Sequence, residues 1–217
     1  MPLKANPVPI VLDHLVYCVP DLAEAADRIG RALGVSFAPG GRHQTEGTHN
    51  VLLRLGDRAY LELLATDLTN DRVAAPRWMG IDRAELPRLT RVALRTENIV
   101  SHASILKSFR PELAHVIAGE RQRPDGSLLR WQLTRPLPEP AIEAWPFLID
   151  WSASATHPAE QLPEVGCQLT DLTFTTPAPA DLQSFFDRLG FDRSVASGPT
   201  PLLTAVISGP AGSVELR

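Results

Sequence analysis

Long apolar runs are missing from this chain of 217 residues, and no stretch approaches the roughly 20 apolar residues of a membrane-spanning helix. An excess of basic residues is missing too. The net charge is −4 and the pI lies near 5.9, which argues against general nucleic-acid binding. Cysteine is scarce: Cys18 and Cys167 sit in apolar, strand-like contexts and read as two buried reduced thiols. The opening residues Met1 to Pro7 lack the apolar core of a secretory signal. The pair Gly40-Gly41 has no lysine at Walker spacing, and no Ser-His-Asp, Cys-His or nucleotide-binding pattern occurs. These absences predict a cytoplasmic protein whose partners include neither membrane nor nucleic acid.

What the chain does have is a pattern that recurs from near residues 12, 89 and 169. The first copy runs from Leu12-Asp13-His14-Leu15 through a helix-like stretch to Tyr60-Leu61-Glu62-Leu63. The second opens at Leu89-Thr90-Arg91-Val92 and ends at Leu148-Ile149-Asp150-Trp151, and the third runs from Leu169-Thr170-Asp171 to Val214-Glu215-Leu216. Asp21 with Glu24 has the spacing of a capping box, and Gly34 is placed to stop the helix. Strands follow at about 35–38, 50–55 and 59–65. In the second copy Asn98 caps the helix, strands follow near 115–118, 127–133 and 147–151, and Pro124-Asp125-Gly126 is a turn. The fold class is therefore α+β, in β-α-β-β-β units over 8–66, 89–157 and 167–217. A four-stranded sheet with its helix on one face must bury the other face or line a cavity with it, so two curved sheets predict a cup with helices outside.

On the first strand Leu12, His14, Val16 and Cys18 share one face, and Val11, Asp13, Leu15 and Tyr17 the other. If Leu15 and Tyr17 pack on the helix, His14 turns into the cup. A glutamate within Leu61-Glu62-Leu63-Leu64 is expensive to bury without a partner, which points Glu62 to the same cavity.

The repeated units, with Leu12-Asp13-His14, Gly40-Gly41-Arg42-His43, Gly47-Thr48-His49-Asn50, Tyr60-Leu61-Glu62 and Pro146-Phe147-Leu148-Ile149-Asp150-Trp151 before His157-Pro158, resemble the vicinal oxygen chelate superfamily and its glyoxalase-like branch. The resemblance implies one glyoxalase-like domain holding a divalent ion (Mn, Fe, Zn or Ni) between inward residues of the first and fourth strands of two units. By position the metal ligands are His14, Glu62 and Asp150, while Arg91 stands where a second first-strand ligand is expected. Arginine stays protonated and cannot ligate a cation, so Arg91 implies a metal-free variant in which it pairs with Glu62. Pairing of the first and third units instead gathers His14, Glu62, Asp171 and Glu215.

The implied activity is a lyase, isomerase or dioxygenase acting on a small oxygen-rich molecule, with Glu62 or His43 moving the proton. The alternative is a binding protein of the bleomycin-resistance type with an arginine-containing pocket. Asn50, His49, His157 and Arg91 are the candidate binding residues, although a turn with solvent-exposed histidines explains His43 and His49 equally well. Trp131, Trp145 and Trp151 read as core, and Arg121-Gln122-Arg123 as a solvated turn. An odd number of units leaves one inner sheet face unpartnered, which predicts a homodimer.

Overall fold

A computed structural model describes residues 10–122 and 128–217. The first unit is β1 (Val11–Cys18), α1 (Leu22–Leu33), β2 (Ala38–His43), β3 (Thr48–Leu55) and β4 (Ala59–Thr66). The second is β5 (Arg88–Arg95), α2 (Ile99–Lys107), β6 (Val116–Gln122), β7 (Leu128–Thr134) and β8 (Phe147–Asp150). The third is β9 (Gln168–Thr176), α3 (Pro179–Leu189), β10 (Val195–Ser197), β11 (Leu202–Gly209) and β12 (Gly212–Leu216). The turn expected at Pro124-Asp125-Gly126 lies outside the described residues.

Local chemistry sets the helix ends. Asp21 accepts a hydrogen bond from the Glu24 amide at 2.9 Å, and Gly34 closes α1 in the left-handed region at φ 76°. The same cap takes the Val35 amide back to the Gly30 carbonyl, so the residues just after Gly34 are drawn onto the helix end and away from a strand. The second strand consequently starts at Ala38, later than the expected 35–38.

The first two units join into one curled sheet of order β2-β3-β4-β1-β5-β8-β7-β6. Its seam is the antiparallel pair β1–β5, and each half has its first strand parallel to its fourth. Helices α1 and α2 cover the convex side, where Leu15, Ile29, Leu94, Ile99 and Leu106 share a core with Phe174, Phe185 and Leu203 of the third unit. The concave side has its own cluster of Val16, Cys18, Leu64, Met79, Ala93, Leu133 and Phe147.

The third unit repeats the element order with a different pairing, β10-β9-β11-β12. Its first strand is parallel to the second and antiparallel to the third, and β12 lies at the edge. Leu172, Phe174, Leu203, Ala205 and Ile207 turn into the shared core, whereas Thr173, Thr175 and Thr204 occupy the other face. It therefore closes no cup with the first unit, and Asp171 and Glu215 are exposed and apart from His14. The outward face is polar, so the case for a homodimer built on an uncovered apolar face loses its premise.

Candidate functional site

The cup encloses a cavity of about 530 Å³, large enough for a small-molecule ligand. Its polar floor begins with an irregularity in β1. Leu12 pairs with Leu94 and His14 with Ala93, which leaves Asp13 as the extra residue of a bulge. The bulge lets two successive side chains meet, where a regular strand sends them to opposite faces. Asp13 Oδ1 lies 2.6 Å from His14 Nδ1, and Asp13 Oδ2 accepts from Trp151 Nε1 at 3.0 Å and from His157 Nε2 at 2.8 Å. The Ala159 amide donates to His157 Nδ1, so the proton of that ring sits on Nε2 and faces Asp13.

Asp13 is fully buried. Burial alone pushes its carboxyl up, but hydrogen bonds and charge from His14 and His157 outweigh it and hold the group at about 2. The ionised carboxylate only accepts, which fixes the proton of His14 on Nδ1 and leaves Nε2 for the cavity. Tyr60 stacks on that imidazole with centroids 4.7 Å apart, and Phe147 meets it edge-on at 5.4 Å. Burial, reinforced by Asp13 and Glu62, raises the Tyr60 phenol well above its usual range, so it stays protonated.

Glu62 lies beside His14, with Oε2 3.8 Å from His14 Nε2. Its Oε1 accepts from Asn50 Nδ2 at 2.5 Å, and Asn50 Oδ1 accepts from the Gly41 amide at 2.7 Å. That amide is reached through a second bulge, between Pro39 and Arg42. A Cβ at Gly40 would lie 2.0 Å from Asn50 Oδ1, so this close approach requires glycine. His43 extends the chain, with Nε2 3.5 Å from Asn50 Nδ2 and Nδ1 2.9 Å from Thr48 Oγ1. Burial lowers its pKa below 6.5, against an opposing pull from Glu62, which favours a neutral ring. The order from rim to floor is His43, Asn50, Glu62, His14, Asp13.

The other candidate residues lie elsewhere. His49 does not line the cavity, being one residue from Asn50 and on the opposite face of β3. His157 supports the floor from behind through Asp13. Asp150 faces away, between the cavity residues Ile149 and Trp151, and accepts from the Ser152 amide at 2.8 Å. Its assignment was one residue out of register, which on a strand reverses the face.

Arg91 misses the cavity for another reason. It pairs with Val16, whereas the partner of His14 is Ala93, two residues on. Its guanidinium donates to the carbonyls of Thr90, Ala141, Met79, Leu137 and Pro140 at 2.7 to 3.3 Å. Burial pushes it down to about 10, so it remains charged at neutral pH. Arg91 thus ties two loops together, among them the turn where buried Met79 takes the left-handed φ of 56°. Trp78 and Met79 on that turn line the cavity, so Arg91 shapes the cup without entering it.

A divalent ion does not fit the donor set. Among the described residues no group of three His, Cys, Asp or Glu side chains is placed to hold one. On the cavity floor the donors are His14 and Glu62, and one atom of each is committed to Asp13 or Asn50. The register gives Ala93 and Ile149 as their counterparts in the second half, and neither can ligate.

Three further features escaped the sequence reading. Asp13 departs from the face that alternation gives it because its bulge is invisible in alternation, although a carboxylate beside a histidine in an apolar strand requires a partner. Trp131 and Trp151 line the cavity, while Trp145 is the tryptophan that fills core. Arg121 belongs to β6 and lines the cavity mouth rather than a solvated turn.

With this geometry in place, the comparisons with known proteins decide the family. The sequence model of the glyoxalase-like domain matches residues 12–190. The chain belongs to the glyoxalase-like domain family. No curated protein matches it. Among solved structures, a hypothetical protein from Staphylococcus aureus is similar over 96% of this chain and 99% of that one, at 14% identity and a TM-score of 0.64. A methylmalonyl-CoA epimerase from Mycobacterium tuberculosis is 18% identical over 69% of this chain and 91% of that one, with a TM-score of 0.42. The first of these likenesses shows a fold shared over nearly the full chain.

Proposed function

We propose that this glyoxalase-like protein is a metal-independent acid–base enzyme, an isomerase or lyase, acting on a small carbonyl compound held in the cup. The observation that carries this reading is the Asp13–His14–Glu62 array on the cavity floor. Glu62 keeps Oε2 free while Asn50 holds Oε1, which suits it to take a proton from a carbon next to a carbonyl. The electron pair of that C–H bond moves onto the carbonyl oxygen. When its ring carries a proton on both nitrogens, His14 delivers the Nε2 proton to the oxygen and reverts to the Nδ1–H form, which Asp13 holds in place as an orienting carboxylate does in other acid–base pairs. Return of the proton to the neighbouring carbon completes an isomerisation, and loss of a leaving group from the enol completes an elimination. His43 stands at the rim to exchange protons between the cavity and solvent.

The test is deuterium exchange. α-Hydroxy ketones, 2-oxo acids and acyl thioesters are incubated with the protein in D₂O, and loss of the α-proton signal is followed by NMR. Exchange should fall by roughly 10²- to 10⁴-fold in Glu62→Gln and in His14→Gln. Exchange unchanged in both variants would falsify the assignment. A second reading, retention of a ligand without chemistry, draws support from the aromatic wall of Trp78, Trp131 and Trp151. Binding without exchange by the wild type would favour it.

A further inference from the structure

We propose that Arg121 anchors the anionic end of the ligand, so that the cup selects a small organic carboxylate with an apolar body. This rests on reading the cavity as a small-molecule site. Strands β2 and β6 are the two outer strands of the eight-stranded sheet. Arg121 on β6 reaches across to β2, where a Cβ on Gly41 would lie 2.5 Å from its Nη1. The guanidinium therefore stands between the two edges at the mouth of the cup.

A guanidinium is always charged and carries five donors and no acceptor. Among the described residues, no hydrogen bond or ion pair engages the Arg121 guanidinium. Its neighbours differ. Arg42 is held by Asp67 and Thr69, and Arg130 lies 3.4 Å from Glu120. The Arg121 charge also reaches inward, since it lowers the pKa of both His43 and Tyr60.

The remaining wall decides the rest of the ligand. Ile117, Leu129, Trp131 and Phe147 present apolar surface. At the floor the carboxylates of Asp13 and Glu62 repel a second anion. At the rim Glu46 faces His43, and Glu120 is occupied by Arg130. One orientation satisfies all of these: the anionic group on Arg121, the apolar body along the wall, and the reactive carbon toward Glu62. A carboxylate offers two coplanar acceptors that match the guanidinium fork.

Calorimetric titration of 3-phenylpropionate, 3-phenylpropionamide and phenyl phosphate tests the proposal. The wild type should bind the carboxylate at least tenfold more tightly than the amide and more tightly than the phosphate. Arg121→Gln should weaken carboxylate binding roughly 10- to 100-fold, and Arg121→Lys should restore part of it. No preference for the carboxylate over the amide, including no binding of either, overturns the proposal, as does unchanged affinity in Arg121→Gln. Tighter binding of the phosphate overturns the ligand class. Glu62→Gln should not weaken 3-phenylpropionate binding. Probe binding that depends on Arg121 without deuterium exchange defeats the catalytic reading alone, and exchange indifferent to Arg121 defeats the anchor alone.

Discussion

The two halves of the cup share one architecture and divide its labour. In the first half the inward positions of β1 and β4 are His14, Tyr60 and Glu62, backed by Asp13 and Asn50. In the second half the matching register positions are Ala93, Phe147 and Ile149, with Trp131 and Leu133 beside them. A carboxylate in low dielectric needs partners, and the first half provides them through two β-bulges. The second half faces the cup with apolar side chains, and its buried Arg91 is absorbed by backbone carbonyls away from the cavity. Duplicated scaffolds can thus gather polar side chains on one side and use the other for shape.

The hardest blow to this contrast falls on Arg91. Arg91→Ala leaves five carbonyls without their donor, and urea denaturation should show a loss of about 3–5 kcal/mol, the range for breaking a buried charged network. Loss of less than about 1 kcal/mol would show that the second half does not depend on this clamp.

Asp13 comes next, as the corresponding anchor of the first half. Its carboxyl, at about 2 in the fold against 3.8 when free, contributes stability that is fully present above pH 3.8 and is lost as pH falls toward 2. The shift corresponds to about 2 kcal/mol, and Asp13→Asn should be less stable at neutral pH and lack that acid limb. Identical acid limbs in both proteins would move the acid sensitivity to other groups.

Ile149→Gln makes the halves more alike by placing an amide opposite Glu62. It should cost about 1–3 kcal/mol, the range for a buried polar group without a prepared partner. A neutral effect would reveal that the second wall is already hydrated.

The smallest effect belongs to His43. Burial lowers its folded pKa below 6.5, so its neutral ring favours the fold above 6.5 and that contribution declines as pH falls through the folded value. Replacing it with Gln should flatten the stability profile just below pH 6.5, read by thermal melts.

Much of the fold was legible in the sequence because capping residues, glycine stops and strand alternation act locally. Asp21 with Gly34 bounded α1, and Asn98 opened α2 by accepting from the Ser101 amide. His14 and Glu62 could be placed because each interrupts an otherwise apolar run. What stayed hidden depends on non-local register. The bulge at Asp13 and the two-residue offset of Arg91 are set by pairing across the seam, and the face of Asp150 by the pairing of β8 with β5 and β7. The third unit's altered strand order is likewise invisible locally, since its elements follow the same sequence of types.

The β1–β5 ladder carries one last consequence. Because the halves are hydrogen-bonded along a common seam, they cannot part like jaws about a flexible tether without breaking that ladder. The cup can widen without breaking that ladder only at β2 and β6, the outer strands of the sheet. Widening there takes edge fluctuations, which are fast and shallow, rather than domain opening, which is slow and wide.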